Sequence, residues 1–496
     1  MNPGTSEMQF VAALDRVDGM RGVLCLFEGV CAGAADGYAR MLRRPASTLL
    51  HLGPGLGNAL SNLHNARKAR SPVVNIVGQH STGHLRYDAP LTADIEAFAR
   101  PVSSYVNTVP QACAVGREAA AAIQAACVAP GQVATLVVPA DFSWSEAGEP
   151  AAPIAAPAPQ VPPSDAIREA AAALRSGQPA GLLLGGGTPF GPALQWAGQL
   201  AAVTGVRVFA NRYSARLEYG AGKFAPLRLP YFPEAAEAAL AGLKHLVLVE
   251  SAPPVSFFGY PGRESYLAPP DCAMHVLASI EQDGTEALRA LAAECGALSA
   301  TLPPPAPLPE LPAGTSLTAD TIGRTLANLL PKGAIVSDEM VSSAEAVSRH
   351  LASAAGVDIL PVTGGSIGQG LPVALGAAVA CPDRKVVALE ADGSGMYTLQ
   401  SLWTMARERL DVVAIILANR RYRILDIEMQ RTGAGAIGPA ANRMIDISRP
   451  NLDWVKLAEG QGVPAVSAAT SDEFIAAFRT ALQQPGPYLI EAVIGE

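Results

Sequence analysis

VVALEADGSG at 386–395 is an apolar run that stops on an acid, and VVAIILANRR at 412–421 repeats the pattern and stops on an amide. Consecutive apolar residues rich in valine and isoleucine describe strands buried on both faces, as in a parallel sheet covered by helices. Asp392 and Asn419 lie 419 − 392 = 27 residues apart, which fits a helix-plus-strand crossover that sets neighbouring strand ends side by side. Ligands of open parallel sheets bind beyond the carboxyl ends of the strands. A carboxylate and an amide oxygen converging there suit Mg2+, which takes one or two protein oxygens and fills its shell with phosphate and water. Gly393 and Ser394, entering a helix, offer amides to the same phosphates. Singly, Asp-Gly and Asn-Arg are ordinary turn residues; after two buried strands they favour a metal–diphosphate site.

The same alternation extends outward. Strands are expected at Ala334–Val336 and Leu489–Val493 in the same segment, at Gly181–Leu184 and Leu246–Val249 before it, and at Val23–Phe27, Thr48–Leu52, Val73–Val77 and Ala134–Val138 near the start. Alanine-rich stretches of helical length separate them. Two proline-rich runs, GEPAAPIAAPAPQVPP at 148–163 and LPPPAPLPELP at 302–312, read as extended linkers, because proline fixes φ and removes amide donors. The expectation is an α/β chain of three consecutive domains, 1–150, 164–301 and 313–496, each with a parallel sheet flanked by helices.

Composition leaves a small-molecule enzyme or an interaction scaffold. Of 496 residues, 49% are hydrophobic and 16% charged, which excludes intrinsic disorder. The longest apolar run, Gly370–Cys381, is too short to span a bilayer. The net charge of −8 comes without a basic block, so no nucleic-acid partner is expected. Seven scattered cysteines without CxxC spacing read as reduced thiols, and the first residues lack the basic and apolar regions of a secretory leader. A cytoplasmic location follows as an expectation. Of the seven histidines only His80 and His84 have an H-x3-H spacing, and neither a CxxC pair nor an HExxH motif accompanies them, so no zinc site is expected.

Other strand ends carry chemistry as well. Glu28 opens EGVCAGAADGYAR directly after Val23–Phe27. It reads either as a desolvated carboxyl able to shuttle a proton or as an acid favoured at a helix N-terminus. His51-Leu-Gly53-Pro54-Gly55-Leu-Gly57-Asn58 is a glycine-rich turn, suited to ligand approach or to tight packing.

In this order the motifs NPGT at 2–5, E…ADGYAR at 28–40, GPGLGN at 53–58, SPVVNIVGQ at 71–79, GGSIGQGLP at 364–372 and ADGS…N at 391–419 make the chain resemble the thiamine diphosphate enzymes of the acetolactate synthase, benzoylformate decarboxylase and pyruvate oxidase group. The resemblance covers nearly the whole length and implies pyrimidine, central and diphosphate domains. It implies that Glu28 hydrogen-bonds the aminopyrimidine, that Ile367 is the apolar wedge bending the cofactor, and that the Gly365 carbonyl accepts from the pyrimidine amine. Asp392, Asn419 and the main-chain carbonyl of Arg421 would hold Mg2+. Asn2, Pro3, Thr5, Gly53, Asn58, Gly393 and Ser394 complete the cofactor-binding set. Glu28 and Asp392 fall in different domains, so a homodimer or homotetramer with the cofactor at the subunit interface is implied.

The implied reaction is decarboxylation of a small 2-oxo acid with possible carboligation, as in acetolactate synthase. Alternatives are a decarboxylase or lyase for a larger or aromatic 2-oxo acid, and a non-catalytic paralogue that partners an active subunit. Several departures bear on this choice. Pro90-Leu91, Ser104-Tyr105 and Ile427-Glu428 replace the Phe-Gln, Lys–His and Gln-Trp pairs of acetolactate synthases, and Glu390 sets a charge beside the diphosphate site. Arg70 is expected where benzoylformate decarboxylases have a catalytic histidine, and His80 and His84 are the candidate proton donors, with surface positions as the alternative. Arg70 or Arg86 could pair with a substrate carboxylate. Gly185-Gly186-Gly187 is read as a tight turn, and FAD is not expected. The NPG turn at residue 2 implies either a truncated start or a pyrimidine sheet lacking an element.

Overall fold

The computed structural model describes residues 1–495. Its strands form three sheets. The first is parallel, order β1-β2-β4-β3, built from β1 (Ala46–Leu50), β2 (Val73–Gln79), β3 (Tyr105–Thr108) and β4 (Val133–Pro139). The second, order β10-β9-β5-β6-β8, is also parallel. It uses β5 (Ala180–Leu184), β6 (Arg207–Ala210), β8 (Leu227–Arg228), β9 (His245–Val249) and β10 (Ala273–Ala278). The third has seven strands, β11 (Ala334–Glu339), β12 (Val357–Pro361), β13 (Val386–Ala391), β14 (Val412–Ala418), β15 (Ala465–Ala468) and β16 (Tyr488–Val493), joined by β7 (Leu217–Tyr219).

That last strand crosses the expected division of the chain. Leu217–Tyr219 lies in the central segment but pairs antiparallel with Val357–Ile359 at the edge of the third sheet. Arg216 next to it holds Asp358 at 2.6 Å. Three residues show no periodicity, so this pairing was not foreseen. Both proline-rich runs lack helix and strand apart from a single bridge between Gln160 and Gln282.

One predicted strand is absent. Val23–Phe27 is not part of any sheet, and a helix, Glu28–Leu42, starts immediately after it. It lies against the first residue: the Met1 amine donates to Val23 O at 2.7 Å, and Cys25 N–H donates to Met1 O at 2.9 Å. The adjacent Asn2 in turn bridges Leu50 at the end of β1. The first sheet therefore has four strands, extended at one edge by this short contact.

The apolar run expected to be too short for a bilayer is the helix Gly370–Ala380, almost wholly buried. It lies against Glu28–Leu42 so closely that a Cβ on Gly376 would fall 1.9 Å from Ala34 O, and one on Gly37 would fall 2.1 Å from Val373 O. Small residues on both helices let the two backbones touch, and this contact fixes Glu28 relative to the third sheet. Among the described residues no helix is long and apolar enough to cross a membrane, and all seven cysteines are free.

Candidate active site

β13 and β14 pair in register, with Ala391 opposite Leu417, so Asp392 and Asn419 leave the sheet side by side. Asp392 is 2% exposed. Its Oδ1 accepts from Gly393 N–H at 2.9 Å and its Oδ2 from Arg420 N–H at 2.6 Å. Burial nevertheless pushes the carboxyl up to about 6. Asn419 Oδ1 accepts from Arg421 N–H at 3.0 Å, while the Arg421 guanidinium turns aside to Asp426 and to Asn442 at 2.8 Å. A cleft of about 50 Å3 between them is lined by Asp392, Gly393, Ser394, Asn419 and Arg421, with Ile367 on its other wall.

This donor set fits Mg2+. Its side-chain ligands are hard oxygens, and a desolvated carboxylate beside an amide oxygen is stabilised by a small divalent cation. Among the described residues no cluster of three His, Cys, Asp or Glu could hold a metal alone, so an ion here would need phosphate and water oxygens to complete its shell.

Glu28 starts its helix at 8% exposure and accepts from Asn58 Nδ2 at 3.0 Å. Next to it stands His51, at the end of β1. A Cβ on Gly55 would lie 3.2 Å from Glu28 Oε1 and 3.4 Å from His51 Cβ, so this glycine lets both side chains approach one point. His51 Nδ1 is 2.9 Å from Glu7 Oε2, which also accepts from Gly4 N–H at 2.7 Å. Glu7 is 4% exposed. Two glycines make room: a Cβ on Gly4 would strike the His51 ring at 2.2 Å, and one on Gly78 would sit 1.8 Å from Glu7 Oε1. A carboxylate at Nδ1 fixes the tautomer and the orientation of the ring. Glu7 and His51 were missed in the sequence, being 44 residues apart with no local motif joining them. The NPGTSE turn is the clamp that builds this pair.

The loop 363–372 meets the site from the other side. Gly365 takes φ +77, where a side chain would be strained and would also strike Phe257 at 2.5 Å. Ile367 lines both the small cleft and a larger cavity of about 480 Å3. Glu339, 1% exposed, clamps the loop by accepting from Gly368 N–H at 2.6 Å, Gln369 N–H at 2.7 Å and Gly370 N–H. Asn62 and Asn65 donate to the carbonyls of Gly368 and Ser366 at 3.1 and 2.7 Å. Gln369 Nε2 donates to Asp36, from the ADGYAR motif, at 2.6 Å. These motifs therefore join the first sheet's layer to the wedge loop.

Family models describing the thiamine pyrophosphate enzyme N-terminal TPP binding domain and C-terminal TPP binding domain match residues 1–98 and 345–492. Over 495 residues, 99% of this chain and 95% of the relative, the sequence is 50% identical to the "Putative acetolactate synthase large subunit" of Mycobacterium tuberculosis. It is 31% identical over 531 residues to benzoylformate decarboxylase of Pseudomonas aeruginosa, covering 99% of this chain and 94% of that one. The chain belongs to the thiamine pyrophosphate enzymes. The thiamine diphosphate-dependent 4-hydroxybenzoylformate decarboxylase of Rhodococcus jostii superposes with TM-score 0.85 at 26% identity, covering 100% of this chain and 95% of that one.

In this thiamine diphosphate (pyrophosphate) enzyme Glu28 and Asp392 line no common cavity of one chain. Among the described residues, those lining the cleft and the larger cavity run from Arg212 to Glu428, and Glu28, His51 and Asn58 are not among them. Gly53 packs against Ala93, where a Cβ would come within 2.4 Å. Asn2 and Pro3 are half-buried beside β1, and Thr5 is exposed.

His80 and His84 follow β2, with rings 5.4 Å apart; His84 is exposed, and His80 Nε2 is buried without a hydrogen-bond partner among the described residues. Arg70 is corrected. It caps the far end of the helix Leu52–Ala69 that His51 begins, about 27 Å away at 1.5 Å per residue. It is exposed and lines a different cavity, with Arg43, Arg216 and Glu250. The histidine beside Glu28 is His51. In the central sheet Glu250 accepts from Gly187 N–H at 2.6 Å and Gly284 N–H at 2.8 Å. Its carboxylate thus occupies the amide that a nucleotide phosphate would use at this glycine turn.

Proposed function

We propose that two copies of this chain, as a cytoplasmic homodimer or homotetramer, use thiamine diphosphate and Mg2+ to decarboxylate an aromatic 2-oxo acid to an aldehyde. In this reading segments 1–150, 164–301 and 313–496 act as pyrimidine, central and diphosphate domains. The observation that carries the substrate class is the 480 Å3 cavity opening on Ile367, walled by Tyr213, Tyr231, Phe257 and Phe258. A pocket of that size and lining suits an aryl group. It favours the decarboxylase alternative over the acetolactate synthase reading that the sequence motifs put first.

When bound, the cofactor supplies a carbon nucleophile and an electron sink. Everything else belongs to the chain. Asp392, Asn419 and the Arg421 carbonyl would hold Mg2+, and Gly393 and Ser394 would meet the diphosphate. Ile367 would support the bent cofactor and Gly365 would accept from its amine. From the other copy, Glu28, held by Asn58, would exchange a proton with the pyrimidine ring. His51, held by Glu7, would deliver a proton to product. The apolar wall favours loss of a carboxylate, because negative charge disperses on the way to the transition state.

The 50% identical relative's name favours a second reading, carboligation. Incubating the enzyme, thiamine diphosphate and Mg2+ with pyruvate and with benzoylformate, followed by mass spectrometry, separates the two. Benzaldehyde from benzoylformate supports the decarboxylase; acetolactate from pyruvate supports the synthase. No product from either sinks both.

A further inference from the structure

The aromatic cavity holds one cation without an ion-pair partner among the described residues. Arg212 is half-buried with its guanidinium 5.5 Å over the Tyr231 ring, and no carboxylate lies within ion-pair distance of it among the described residues. Its neighbours are otherwise engaged. Arg228 pairs with Asp338 at 2.8 Å and donates to the Arg212 carbonyl at 3.0 and 3.2 Å. Glu339 is taken by the three loop amides. Glu428 accepts from the Tyr260 hydroxyl at 3.1 Å, and Glu345 is exposed. Burial, with Arg228 adding repulsion and the more distant Asp338 and Glu345 opposing it, pulls the Arg212 guanidinium down to about 10, so its charge is retained at neutral pH.

A guanidinium among aromatic rings recognises a flat anion by paired donors while the rings cover its apolar body. The group it reads is not the carboxylate that leaves. An ion pair to that group would be lost as its charge disperses, which stabilises the ground state more than the transition state. An anion at the far end of the substrate keeps its charge throughout the reaction.

We propose that Arg212 is a specificity-determining residue that binds a second carboxylate at the distal end of an aryl 2-oxo acid. The inference rests on the decarboxylase reading above.

The test uses the enzyme with thiamine diphosphate and Mg2+, comparing benzoylformate with 4-carboxybenzoylformate for the wild type, Arg212→Met and Arg212→Lys. The wild type should favour the carboxylated acid by at least about 10-fold in kcat/KM, the scale of a charge-assisted pair. Arg212→Met should erase that preference through KM and leave benzoylformate within about threefold, while Arg212→Lys should keep part of it. No preference in the wild type, or an equal loss on both substrates, would overturn the assignment. Calorimetry with terephthalate and benzoate separates this from the reaction itself. If neither oxo acid reacts, the decarboxylase reading fails. Arg212 as an anion reader then stands only if terephthalate binds the wild type at least about 10-fold more tightly than benzoate and Arg212→Met removes the difference; equal binding overturns it.

Discussion

His51 shows how much a single side chain depends on its neighbours. Glu7 orients it, and Gly4 and Gly78 leave the space both need. Replacing His51 by Gln should lower kcat by about 100-fold or more, the usual worth of a positioned proton donor, with thiamine diphosphate affinity unchanged. A kcat within threefold of wild type would remove His51 from the reaction. Glu390 poses a different problem. It is 1% exposed, neither oxygen has a hydrogen-bond partner among the described residues, and it faces Glu339 across paired strands. Burial and the Glu339 charge push Glu390 well above the carboxylate range, and burial pushes Glu339 up to about 7. Folded values above the unfolded ones mean that folding favours the protonated form of each acid. Their contribution to stability is fully present below the ordinary glutamate range and is lost as pH rises through about 7. The melting temperature of the apoprotein should therefore fall between pH 5 and 8, less steeply in Glu390→Gln. Parallel slopes in the two proteins would contradict the paired-acid account.

At the scale of elements, the chemistry-bearing strand ends were legible where apolar runs were continuous. Asp392 and Asn419 could be placed at neighbouring strand ends because β13 and β14 announce themselves as buried strands. Glu28 opens a helix as expected although the strand expected before it does not form, since the motif following it is helical in any case. Arg212 and β7 were not legible: NRYSARLEY has neither helical nor strand periodicity, and its place comes from pairing with β12 some 140 residues later. The pair of helices beginning at Glu28 and Gly370 was legible only as small-residue sequence. Their closeness predicts that Gly376→Ala, which puts a methyl against Ala34 O, costs about 1–3 kcal/mol or more of stability. Differential scanning calorimetry should show a lower melting temperature, whereas Gly57→Ala, which meets nothing within 4 Å, serves as the control. Equal melting temperatures for the two variants would show that the helices separate without cost.

For the molecule as a whole, the third sheet and the wedge loop supply one end of the site and the first sheet supplies the other, yet Glu28 borders neither cavity of its own chain. The proposed function has two copies exchange these ends. Mixing Glu28→Gln with Asp392→Asn chains tests this directly, reading exchange of the cofactor's C2 proton, which needs no substrate. Each variant alone should exchange slowly. Random pairing makes half the dimers hybrid, each with one intact site of two, so the mixture should regain about a quarter of the wild-type exchange rate. A mixture that forms hybrid dimers yet stays as slow as its parents would show that each chain builds its site alone.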